Sequence, residues 1–183
     1  KAIAATKTYT TQLFAIALVS AALRDDEQMF DALGDVPRLV EDTLALDGAI
    51  EQAAQRYRYM EQCVVIGRGY NYATANEWAL KLKELAYVAA ESYSSADFRH
   101  GPIAIVSHGF PILAVVPRGA IFQDTYGMLS RLVEEKGAEL VVVSDDDQAL
   151  GLAKTPLPLP TDLPEWLSPV VGIVPASKYP PHY

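Results

Sequence analysis

Three continuous apolar runs constrain this chain more than any other feature: Gln62-Cys63-Val64-Val65-Ile66-Gly67, Pro111-Ile112-Leu113-Ala114-Val115-Val116-Pro117 and Glu139-Leu140-Val141-Val142-Val143-Ser144. A strand with one wet face alternates apolar and polar residues, whereas runs of this kind suit strands covered on both faces, as in a parallel sheet. Helical stretches lie between them. Residues 71–91 contain no Gly or Pro and are rich in Ala, Leu, Lys and Glu, which predicts one helix. Residues 120–136 predict another, closed by Gly137 as its C-cap. The expected fold is therefore α/β, a three-layer sandwich with a mostly parallel sheet flanked by helices and preceded by N-terminal helices. Ligands are expected at the carboxyl edge of the strands.

The remaining segments fit around that frame. Lys1 to Leu23 reads as a helix whose apolar run, Leu13 to Leu23, is too short to span a bilayer. Asp25 and Asp26 offer an N-cap to a helix from Glu27 that is expected to break around Gly34–Pro37 and resume. Residues 25–60 read as a helical linker and lead-in, 61–174 as the main domain and 175–183 as an irregular, proline-broken tail. Thr155 to Pro160 is an edge strand at best, because each Pro removes a ladder donor. A last helix is expected from Leu167 to Val174. Asp145-Asp146-Asp147 reads better as a solvated loop after a strand than as a metal site. Gly67-Arg68-Gly69 is a strand-to-helix turn; without a third glycine or a following ribose-binding acid it makes a weak dinucleotide motif. It is also poor in Ser and Thr, so it is not expected to hold a phosphate.

Asp and Glu number 23 against 15 Lys and Arg, a net charge of −8, which disfavours nucleic acid and anionic membranes as partners. The single Cys63, inside an apolar run, reads as a buried structural thiol and is compatible with a cytoplasmic setting. Three scattered His and one Cys give no metal-ligand pattern, and no cofactor is expected.

The chemistry concentrates between Glu77 and His100. On the helix over 71–91, Trp78, Leu82, Leu85 and Ala89 share one face, an apolar stripe for a sheet. Glu77, Lys81, Glu84 and Glu91 share another, and the polar turn Ser92 to Pro102 after it carries His100. A Glu, a Lys and a His could supply general acid/base chemistry on a small polar substrate. On spacing alone such a row is more often a solvated face with weak ion pairs.

Resemblance separates these readings. The run Glu77-Trp78-Ala79-Leu80-Lys81-Leu82-Lys83-Glu84, followed by Ala90-Glu91-Ser92-Tyr93 and Arg99-His100-Gly101-Pro102, resembles the second sugar-isomerase (SIS) domain of the glucosamine-6-phosphate synthase family. It is also similar to related stand-alone sugar-phosphate isomerases and deaminases. The resemblance implies that Glu84 shuttles a proton between C1 and C2 of a hexose or aminohexose 6-phosphate. It implies that Lys81 sits beside that carboxylate and the developing oxyanion, and that His100 opens the sugar ring from the neighbouring subunit of a homodimer. Glu91 is assigned to structure. Ala4 to Leu13 resembles the segment closing the family's first SIS domain, which makes residues 1–24 its last helix and Thr6 and Lys7 substrate neighbours; threonines capping a helix start would look the same. The chain departs from the family pattern in carrying Ala5 where many members have Ser and Trp78 where Gly is common. It also lacks counterparts of the first SIS domain, the family's C-terminal Schiff-base Lys and the glutaminase. The 183 residues are therefore expected to be an incomplete portion of an enzyme, weakly active or inactive alone. A stand-alone deaminase or isomerase, and a regulatory domain that binds sugar phosphate without chemistry, are the alternatives.

Overall fold

The structure, a computed structural model, describes residues 6–178. Five strands form one sheet: β1 (Gln62–Ile66), β2 (Ala89–Tyr93), β3 (Pro111–Val115), β4 (Glu139–Ser144) and β5 (Thr155–Pro158). Their order is β2-β1-β3-β4-β5 and every pairing is parallel. The central strands are apolar throughout because both faces are covered. Val65, Leu113, Val115, Val141 and Val143 point into one core, and Val64, Ile66, Ile112, Ala114 and Val142 into the other. The first core is closed by α1 (Thr6–Arg24), α2 (Glu27–Leu44), α3 (Asp47–Arg56), α4 (Asn71–Ala86) and α8 (Ser168–Lys178). The second is closed by α5 (Ser95–Phe98), α6 (Phe122–Lys136) and α7 (Asp147–Leu152).

Gly67 is required by a close approach. A Cβ there would lie 2.1 Å from the Asn71 carbonyl oxygen, so only glycine lets β1 turn directly into α4.

Three expectations are corrected. The helix over 71–91 ends at Ala86, where Tyr87 takes a left-handed conformation (φ 55°) and its N–H bonds the Leu82 carbonyl. The chain then enters strand β2, which places Ala89 and Glu91 in the sheet, outside the helical stripe and row. Ala89-Ala90-Glu91 has weak strand propensity, and pairing with β1 from Gln62↔Ala89 onward overrides it. Second, α2 runs unbroken through Pro37. An interior Pro costs about 3 kcal/mol, and burial of Leu33, Val36, Leu39 and Thr43 on either side offsets it. Third, α8 continues through Pro175 to Lys178, so the tail begins as helix; residues 179–183 lie outside the described residues.

Candidate functional site

Trp78 and Leu82 are fully buried, fixing α4 against the sheet and α8. That orientation sets the neighbouring row. Lys81 is 5% exposed, with its Nζ 3.1 Å from Glu77 Oε1 and 3.0 Å from Glu84 Oε2. Glu77 is 13% exposed and Glu84 33%, so of the two carboxylates Glu84 is the one open to a ligand. Burial pulls the Lys81 pKa down, but the hydrogen bonds from Glu84 and Glu77 outweigh it and hold the ammonium above its ordinary value. This is a largely buried cation held between two carboxylates, one of them accessible, unlike a solvated face.

The start of α1 abuts this row. The Tyr9 hydroxyl is buried beside Thr74 and Glu77; burial raises its pKa, opposed by Thr74 and reinforced by the Glu77 charge. Lys7 lies exposed two residues earlier on the same helix, while the side chain of Thr6 falls outside the described residues. Nothing in the sequence singles out Tyr9, since an aromatic among threonines at a helix start carries no site signal.

His100 is exposed in the turn after α5, beyond the carboxyl end of β2. Helix α4 runs back from the carboxyl end of β1 to the amino end of β2, so Glu84, thirteen residues past Asn71, lies near the opposite edge. At 1.5 Å per residue the helix carries Glu84 on the order of 20 Å from that edge. One copy of the chain thus assembles Glu77, Lys81 and Glu84, and holds His100 elsewhere.

The His100 turn is tied down by residues that sequence reasoning does not find. Asp124, in the first turn of α6, accepts from Arg99 Nη1 at 2.8 Å and from Arg68 Nη1, and its carbonyl accepts from Arg99 Nη2 at 2.5 Å. An acid in the first turn of a helix is a legible stabilising pattern; its partners, 25 and 56 residues away, are not.

At the carboxyl edge the strand order reverses between β1 and β3, the place where open α/β sheets bind ligands. Arg68, Asn71, Val116 and Glu165 line the crevice there. Glu165 Oε2 accepts from Ala120 N at 3.3 Å, and a Cβ on Gly119 (φ +150°) would fall 2.1 Å from Glu165 Cδ. An internal carboxylate therefore occupies this edge, and Arg68 is engaged by Asp124. The three-acid run is not a solvated loop: Asp145 is buried and accepts from Arg118 N at 2.7 Å, and Asp146 caps α7 through Gln148 N and Ala149 N. Among the described residues no group of His, Cys, Asp and Glu is arranged to hold a metal ion. None of the described helices is long and apolar enough to cross a membrane.

A profile of the SIS domain family matches residues 58–149. This chain belongs to the SIS domain family. It is 37% identical over 180 residues to the glutamine–fructose-6-phosphate aminotransferase (isomerizing) of Pyrococcus horikoshii, covering 94% of this chain and 29% of that protein. The C-terminal domain of glucosamine-fructose-6-phosphate aminotransferase from Francisella tularensis superimposes with a TM-score of 0.85 at 34% identity, covering 97% of this chain and 53% of that one. At 21% identity, glucosamine-6-phosphate deaminase from Thermotoga maritima shares the fold with a TM-score of 0.71, over 98% of this chain and 51% of that one. The chain spans 29–30% of the two aminotransferases from Pyrococcus horikoshii and Thermococcus kodakarensis that it matches.

Proposed function

We propose that this SIS domain takes part in the interconversion of ketose and aldose 6-phosphates, as one portion of a longer protein, and that a homodimer completes its site. The observation that carries the reading is the Lys81 ammonium held 3.0 Å from the half-open carboxylate of Glu84. Glu84 takes the proton from C1 of the open-chain ketose and returns it to C2, while the O1 hydroxyl gives up its proton and O2 gains one. Between these steps Lys81 stabilises the oxyanion of the enediolate, where a fixed cation in a partly desolvated site is worth most. His100 protonates the ring oxygen during opening. Because one copy places His100 near the other edge of the sheet, a second copy supplies it. Thr6 and Lys7, at the start of the helix that carries Tyr9 to Glu77, border the substrate.

We assign residues 1–24 to the end of a preceding SIS domain, 25–60 to the lead-in, and 61–174, continued by α8 to Lys178, to the SIS domain. Exposed Ile16, Val19 and Leu23 on α1 support packing of that helix against further chain. The chemistry needs no cofactor, and a sugar phosphate substrate fits a cytoplasmic setting.

The test is Glu84→Gln in a protein containing this segment with the rest of the length of its relatives. Retained sugar-phosphate binding, with turnover and solvent-deuterium exchange at C1 and C2 reduced about a thousandfold or more, is expected for loss of the group that carries the proton between C1 and C2. Unchanged exchange would refute the reading. A regulatory sugar-phosphate sensor would be indifferent to the substitution.

A further inference from the structure

His100 sits on a short turn whose own backbone hydrogen bonds are all local, so they do not tie it to the rest of the fold. It is exposed, its N–H bonds the Asp97 carbonyl at 3.0 Å, and Gly101 follows at φ +141°, a conformation that favours glycine, before a short 3₁₀ turn over Pro102–Ile105. The turn is nevertheless pinned to α6 from one side. Phe98 is fully buried in the second core, Ser95 Oγ lies 3.1 Å from Thr125 Oγ1 in a buried contact, and Arg99 is clamped by Asp124. The last of these contacts is closest to the imidazole along the chain. The guanidinium fork of Arg99 reaches both the carboxylate and the main-chain carbonyl of Asp124, which fixes its plane as well as its distance. The other oxygen of the same carboxylate holds Arg68 from the β1–α4 turn. Asp124 therefore joins three elements: the loop after β1, the turn after α5 and the first turn of α6.

We propose that Asp124 is a positioning residue for His100, acting through Arg99. As a stability device the cluster is weak, because Arg99 and Asp124 are both over one-third exposed and such pairs add little to folding. Its consequence is geometric: it restricts where the backbone next to His100 can go, which matters to a ring that must reach a site built elsewhere. This rests on the assignment of His100 to ring opening, and the experiment keeps the two apart.

Ring relaxation of the histidines is measured by NMR in this chain, which has only three, and kcat and KM are measured in the longer protein, for Asp124→Ala, Asp124→Asn and Arg99→Lys. In Asp124→Ala the His100 ring and the Arg99–Gly101 amides lose order while His108 does not. Turnover of a cyclic sugar phosphate drops about tenfold or more with KM within about twofold, as expected for a catalytic group displaced by a fraction of an ångström to an ångström. Asp124→Asn, which keeps an oxygen acceptor, falls between, and covers the case in which the alanine variant folds poorly. A His100 ring as ordered in Asp124→Ala as in the parent overturns the proposal whatever the turnover. A loosened ring with unchanged kcat, where Glu84→Gln abolishes turnover, also overturns it. If Glu84→Gln and His100→Asn both leave turnover intact, the isomerase reading fails instead, and ring mobility alone decides the positioning claim.

Discussion

Replacing Lys81 by Met retains most of the side-chain volume and removes the charge between two carboxylates. A hydrogen bond to a charged partner contributes about 1.5–3 kcal/mol, and Lys81 makes one to Glu77 at 3.1 Å and one to Glu84 at 3.0 Å. The two are not equal. Glu84, one-third exposed, turns to water when its partner goes, so its share is discounted to about 1 kcal/mol or less. Glu77, 13% exposed, keeps most of its desolvation cost with nothing to offset it. The expected loss is about 2–4 kcal/mol, which lowers Tm by about 5–12 °C at this chain length. Urea unfolding at pH 7 measures it. Removing the stranded acid as well, in Lys81→Met/Glu77→Met, should recover at least half, since replacing both partners with apolar groups approaches neutrality. A loss below about 1 kcal/mol, or a double variant no better than the single, would refute the description of Lys81 as a buried clamp and weaken its catalytic assignment with it.

Glycine replacements separate two local situations: Gly67→Ala drives a methyl into the Asn71 carbonyl and should cost about 2–3 kcal/mol, whereas Gly34→Ala, in open space inside α2, should add about 0.5–1 kcal/mol, both read by urea unfolding. The Arg56 hydrogen bond to Glu139, 2.7 Å long, holds that carboxyl below its ordinary value of 4.5. Its contribution is therefore present above about that pH and is lost as pH falls through the depressed folded value; Arg56→Ala should flatten the acid limb of the stability curve, and an unchanged limb would count against the pair. Burial pushes the Cys63 thiol up to about 12, so thiol reagents at pH 8 should label it only at the rate of unfolding.

The resemblance to the SIS family is legible where residues sit close together in sequence. Glu77, Lys81 and Glu84 are three and four apart, and any helix brings them together; the structure adds that Lys81 and Glu77 are largely buried, which the pattern cannot show. The end of α4 is hard to read because Tyr87 stops it without Gly or Pro, and β2 is hidden because its pairing with β1 compensates for a weak strand sequence. Pro37 misleads in the opposite sense, as a breaker overruled by buried neighbours.

The layers of this protein are written in its sequence: apolar runs imply strands covered twice, helical spacing sets which faces meet them, and a short motif carries the candidate site residues. The strand order, the dryness of Lys81, the opposite placement of Glu84 and His100, and the grip of Asp124 on the His100 turn emerge only from the folded chain. The reason is physical. Periodicity acts between residues a few positions apart, whereas burial and ion pairing depend on segments tens of residues distant that meet only after the chain has folded.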